Sequence, residues 1–159
     1  MADTHTQTLV DTPCRSKNTQ SLLAEARQLV EARGQKLTKV RRKVLQLLLE
    51  SDEPAKAYHL MDQLDGEGSP KPPTVYRALD FLQEMGLVHK IESLNAFVAC
   101  EHIHHAHAAA FLICTACGKA EELHAVGTNE AMIAESSAAG FRVQSTVIEA
   151  RGICKECAA

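Results

Sequence analysis

Tryptophan is absent from the 159 residues, and aromatic residues make up only 4%. A large aromatic ligand pocket has nothing to be built from. No apolar run approaches the length of a membrane span, and no membrane partner is expected. Residues 1–14 are polar and lack the hydrophobic stretch of a signal peptide. A cytoplasmic location follows as an expectation, with thiols kept reduced. The net charge of −3 excludes a bulk polycation. Two catalytic signatures are missing as well. There is no His-x-Glu, and neither CxxC follows a proline, so a zinc nucleobase deaminase is excluded. Nothing resembles the strand–CxxC–helix unit of a thioredoxin-like oxidoreductase. An enzyme is not expected.

What the chain does have is two cysteine pairs, Cys114/Cys117 and Cys154/Cys157, separated by 36 residues. Two residues between thiolates let both sulfurs turn onto one tetrahedral ion. Two such knuckles complete an all-thiolate shell suited to structural zinc. The metal would fasten the last strand back onto the body. Charge is also unevenly placed. Arg33, Lys36, Lys39, Arg41, Arg42 and Lys43 fall within residues 32–49 with no acid among them. Such a stripe can meet phosphate in a mildly acidic protein, although on its own a solvated helix face is the simpler reading.

Residues 1–19 read as a flexible tail. A first helix carries Leu22, Ala26, Leu29 and Val30 at helical spacing and stops at Gly34. Thr38 caps a second helix with a stripe of Val40, Val44, Leu47 and Leu48. A third spans about 57–64, with Leu60 and Leu64 inward. Gly66, Gly68, Ser69 and Pro70 make a loop. Pro72 and Pro73 open a fourth helix, which buries Val75, Leu79 and Leu82 and ends at Gly86. Thr74, Arg77 and Phe81 fall on its opposite face. Two short strands at 87–91 and 96–99 follow, joined by residues 93–95. This is the order of a winged helix-turn-helix. Arg77 is the best base or phosphate contact, and Tyr76 either packs on a thymine methyl or lies in the core. Tyr58, Lys71, Arg41 and Arg42 are expected at the phosphate backbone.

The second half reads as a unit of about 60 residues, a size that often needs a staple to fold alone. Strands are expected at 110–114, 120–123 and 141–149, with a helix over 129–139 ending at Gly140. A three-stranded sheet leaves an edge that a second copy would cover, so a homodimer is expected. The fold class is thus α+β: a winged-helix domain at 20–92, a wing strand and hinge at 93–99, and a metal-binding dimerisation domain at 100–159. Potential ligands also cluster here: His89, Cys100, His102, His104, His105, His107, Glu121, Glu122 and His124. His89 stands apart on the wing strand. A ligand there would tie the DNA-binding half to the metal-binding half, as a metal sensor requires.

Several stretches resemble the ferric uptake regulator family of bacterial metalloregulators. They are Leu37-Thr38-x-x-Arg41 with Val44-Leu45, the run PPTVYRALDFLQEMGLVHKIES over 72–93, the His cluster before FLICxxCG, and Gly152-x-Cys154-x-x-Cys157. Within the family, KPPTVYRALDFL, the VHK wing and the segment ending in Cys100 are most similar to the zinc uptake regulator branch. The resemblance implies a homodimeric, zinc-dependent repressor of zinc-uptake genes that binds palindromic double-stranded operator DNA. It implies two zinc ions per chain: a structural one on Cys114, Cys117, Cys154 and Cys157, and a regulatory one on His89, Cys100, His107 and Glu122. His105 or His102 stands as an alternative to His107, and Glu121 to Glu122. It places Tyr58, Thr74, Tyr76 and Arg77 at the DNA. The donor set of thiolate, imidazole and carboxylate suits zinc better than manganese or ferrous iron. The rival readings are a family member sensing iron, manganese, nickel or peroxide, and a structural zinc-ribbon adaptor.

Overall fold

Five helices and five strands follow one another in the computed structural model, which describes residues 18–64, 70–100, 103, 109–123, 126–144 and 146–158. The first helix, α1 (Thr19–Ala32), begins where the side chain of Asn18 accepts the backbone N–H of Gln20. The expected tail is therefore shorter than 1–19, because Asn18 caps and Thr19 is already helical; residues 1–17 lie outside the described residues. Gly34 closes the helix at φ +69°, a left-handed conformation that glycine adopts without steric cost. Thr38 caps α2 (Lys39–Glu50) through its hydroxyl, as its position predicted. The buried α2 positions are Val44, Leu45 and Leu48. Leu45 is buried where Leu47 was expected, while Leu47 and Val40 are only half-buried.

Helix α3 (Ala57–Gln63) buries Leu60, while Leu64 is half-buried at its end. Helix α4 (Pro72–Glu84) starts on the two prolines and buries Val75, Ala78, Leu79, Phe81 and Leu82. Phe81 is therefore not on the DNA-facing side. Arg41 explains why: its guanidinium lies 3.4 Å above the Phe81 ring, while its Nη1 donates to the Lys36 carbonyl at 2.7 Å. The arginine expected at phosphate instead clamps α2 to α4. Arg33 acts similarly, donating to the Met85 carbonyl just past α4 at 3.2 Å. Of the six-residue basic stripe, Arg33 and Arg41 thus make contacts within the fold, although Arg33 stays exposed, as do Lys36, Lys39, Arg42 and Lys43. Arg41→Ala is expected to lower stability by about 1 kcal/mol, measured by urea denaturation. A Phe81→Leu background should remove most of that difference.

The wing is a hairpin of β1 (Val88–Ile91) and β2 (Ala96–Ala99), with a 3-10 turn at Glu92–Leu94 and Asn95 at φ 47°. Ala55 adds a bridge to Phe97. Strand alternation gives the hairpin two buried faces. Val88 and Phe97 join the helical core. Ile91 and Val98 join a second cluster with Ala109, Phe111 and Ile113. His89 shares the second face, so its side chain is aimed at the C-terminal sheet.

That sheet has the order β4–β3–β5. The central β3 (Ala109–Cys114) runs antiparallel to β4 (Ala120–Leu123) and parallel to β5 (Val147–Gly152). Helix α5 (Val126–Ala138) precedes β5 and stops at Gly140, φ +72°. The last strand begins six residues later than expected and continues to Gly152. A strand needs a neighbour, and β3 offers its first paired residue, Ala109, only opposite Val147. No helix among the described residues is long and apolar enough to cross a membrane.

Candidate metal centres and nucleic-acid interface

Parallel pairing of β3 and β5 brings the two CxxC turns together, since Cys114 is in register with Gly152. Thr115 N–H donates to the Gly152 carbonyl at 2.8 Å and locks the turns side by side. Gly118, at φ +77°, lets the first turn close with its N–H on the Cys114 carbonyl. The second turn closes through Cys157 N–H on the Cys154 carbonyl. All four sulfurs then lie within 4.8 Å of one another. Cys117 Sγ and Cys154 Sγ are 3.9 Å apart. A zinc–thiolate tetrahedron with bonds of about 2.3 Å needs sulfurs about 3.8 Å apart, so the cluster fits the ion. Its electrostatics agree. Cys114 is pulled down to about 6, mainly by the backbone N–H groups of Cys154 and Cys117. Cys157 is pushed up to about 12 by the Cys154 and Cys117 sulfurs beside it. Thiolates this crowded resist joint ionisation until a dication offsets their charge, so binding displaces protons and weakens as pH falls.

A second convergence lies between the halves. His89 comes from β1, Cys100 from the residue after β2, and Glu122 from β4. Their ligand atoms also lie within 4.8 Å of one another. His89 Nε2 is 3.3 Å from Glu122 Oε1, with the two side chains 14% and 12% exposed. Nitrogen and oxygen on one tetrahedral zinc would be about 3.4 Å apart. Cys100 is 1% exposed and is fixed by its N–H on the Leu87 carbonyl. Phe111 meets the His89 ring edge-on, 5.9 Å between centroids. The three donors are one imidazole, one thiolate and one carboxylate, a borderline-soft set that fits zinc. Glu122 rather than Glu121 joins the group, because alternation on β4 turns Glu121 to the other face of the sheet. His107, the expected fourth ligand, lies outside the described residues, as do His102, His104, His105, His124 and Cys14.

The face of α4 that avoids the core carries Thr74, Tyr76 and Arg77, all exposed. Tyr76 is 49% exposed, which removes it from the core. Tyr58, 52% exposed near the start of α3, lies on the neighbouring helix. Arg77 is carried by a helix whose opposite stripe, Val75, Leu79 and Leu82, is buried.

Comparison with known proteins adds to this geometry. The ferric uptake regulator family profile matches residues 32–151. The chain belongs to the ferric uptake regulator family. It is 43% identical to the zinc uptake regulation protein of Escherichia coli strain K12 over 141 residues, covering 87% of this chain and 82% of that protein. A solved zinc uptake regulator complexed with zinc and DNA superimposes with a TM-score of 0.84 at 41% identity, covering 90% and 97% of the two chains. The holo structure of XcZur gives a TM-score of 0.80 at 42% identity, covering 87% and 97%. The apo structure of XcZur gives 0.51 at 43% identity, covering 89% and 98%. At nearly equal sequence identity, the chain superimposes more fully on the holo structure than on the apo one. The winged-helix half and the C-terminal α/β half expected from the sequence are both shared with these structures.

Glu149 was not singled out from the sequence. It reaches from β5 to the wing turn, and no local pattern marks it, because its role depends on a parallel register that only the folded sheet reveals.

Proposed function

We propose that the chain is a zinc-responsive transcriptional repressor that binds palindromic operator DNA as a homodimer and controls zinc-uptake genes. The observation that carries this reading is the meeting of His89, Cys100 and Glu122. These donors link the half bearing α4 to the half bearing the sheet. The proposed division is a DNA-binding unit from the Asn18 cap to 92, a wing strand and hinge at 93–99 and a dimerisation unit at 100–159, acting in the cytoplasm as a regulator rather than an enzyme.

Two zinc ions per chain are proposed. Cys114, Cys117, Cys154 and Cys157 hold the structural one. His89, Cys100 and Glu122 hold the regulatory one, with His107 as fourth ligand. Bound there, zinc supplies a single cation shared by donors from both halves. The residues do the rest. His89 fixes the wing, the wing is continuous with α4 through Gly86, and α4 presents Arg77. Dimerisation through the C-terminal half is supported by Leu112, Leu123, Met132 and Ile133, each at least 40% exposed on β3, β4 and α5. Two copies of α4 then come at one spacing, matched to successive major grooves. Coupling must be reciprocal, so operator DNA tightens the regulatory ion.

Operator duplexes selected from a random pool provide the test. Mobility shift across a buffered free-zinc series should give a zinc-dependent complex, with manganese and ferrous iron failing at comparable availability. A response to iron or manganese instead would transfer the chain to another sensing class. Arg77→Ala should cost about 1–3 kcal/mol in operator affinity with zinc content unchanged. Unaltered affinity at fixed salt would remove α4 as the reading face.

A further inference from the structure

Three side chains form a row across the C-terminal sheet beneath the wing. Phe111 on β3 is paired with Glu122 on β4 and with Glu149 on β5. Directly opposite residues share a face of a sheet, and this face is the one the hairpin covers. The two ends of the row reach different parts of the hairpin. Glu122 approaches His89 at 3.3 Å. Glu149 reaches the turn at the tip: its Oε1 accepts the N–H of Glu92 at 2.7 Å, and both its oxygens accept the N–H of Ser93, at 3.4 and 3.3 Å. Those N–H groups open the 3-10 turn and have no partner within it. A carboxylate aimed at them makes charge-assisted hydrogen bonds. The nearby carboxylate of Glu92 is turned onto Lys90 Nζ at 2.6 Å, which limits repulsion with Glu149. The Ser93 hydroxyl, ahead of the two backbone N–H groups, holds the Glu149 carboxyl below the usual carboxylate range.

We propose that Glu149 is a positioning residue of the hinge, pinning the tip of the wing to β5 so that His89 is held over Glu122 before a cation binds. The inference rests on the regulatory-site reading above. Glu149 is not a ligand in this scheme. It sets the fraction of chains whose hinge is closed, and apparent affinity scales with that fraction. One strand, β5, therefore serves two purposes. Its end carries the structural knuckle, and its middle carries the latch.

The test uses the full chain with its structural zinc in place, comparing wild type, Glu149→Ala, Glu149→Gln and Cys100→Ser. Zinc itself is the probe, titrated against a chromophoric chelator. Glu149→Ala should keep the structural ion and the dimer, and lose about tenfold in affinity at the second site. Glu149→Gln, whose amide oxygen still accepts, should recover part of the loss. At saturating zinc both should bind operator as wild type does. Cobalt(II) at the second site should give unchanged d–d bands in Glu149→Ala, because the ligands are intact. Altered bands would make Glu149 a ligand and overturn the proposal. Unchanged zinc affinity in Glu149→Ala alongside a weakened Cys100→Ser would remove the latch and leave the hinge site standing. Unchanged affinity in both would remove the hinge site and the latch with it. If Glu149→Ala fails to fold, Glu149→Gln decides on the same readouts.

Discussion

Replacing Cys154 by serine is expected to empty the four-cysteine site and to unmake the C-terminal half. The sheet has three short strands, and its β5 is exposed along most of its length. Ile153 and Phe141, 54% and 68% exposed, add little buried area. The element that returns β5 to β3 at its far end is the pair of knuckles. Structural zinc in small sites contributes about 10–16 kcal/mol of apparent binding free energy. Ion pairing does not substitute, since Lys119 and Glu156 lie 3.6 Å apart on an exposed surface and such pairs contribute about 0–1 kcal/mol. Cys154→Ser should therefore yield a chain with at most one zinc and a monomer by sedimentation. The helical half, with its own core of Val30, Val44, Leu60, Leu79 and Leu82, should keep its far-ultraviolet helix signal. A dimer that retains two zinc ions per chain would defeat the assignment.

The cysteine cluster was legible because its chemistry is local twice over: each CxxC is set by a turn, and only the meeting of the two turns needs the fold. The stripe of Val75, Leu79 and Leu82 was legible for the same reason, being written in helical period. Phe81 was misplaced because it sits at the edge of that stripe, where helical period leaves the side undecided. A guanidinium from α2, distant in sequence, decides it. His89 shows how far alternation alone can go. In a hairpin whose Val88 faces the helical core, its neighbour faces the other way, on the side where Ile91 packs with Phe111 and Ile113. The start of β5 was misread because Phe141 and Val143 alternate like strand residues, yet among the described residues no β3 position is in register before Val147. Glu149 was beyond reach for a related reason, since parallel pairing across an intervening helix leaves no trace in local pattern.

Cys100→Ser should separate the two metal centres. Cys100 is buried beneath the wing and belongs to the helical core as much as to the site. Serine is nearly isosteric, so the fold and the dimer should survive, and the four-cysteine zinc should remain. What changes is donor strength, because a neutral hydroxyl replaces a thiolate at a borderline-soft centre. Glu122 and His89 still approach each other at 3.3 Å, so a weakened site persists rather than vanishing. Losing a strong ligand should raise the free zinc needed for operator binding by about 100-fold or more, since a ligand matters at least as much as the supporting contacts worth 10–100-fold. Saturation at high zinc should restore part of the complex. The ligand expected among residues 101–108 can be separated in the same assay: His107→Ala should act like Cys100→Ser, and His104→Ala should be near wild type. The opposite pattern would move the fourth ligand to another histidine and leave the hinge in place. Operator binding by Cys100→Ser at an unchanged zinc midpoint would be a different outcome. It would mean that the donors on β1 and β4 are brought together for some other purpose than sensing the ion.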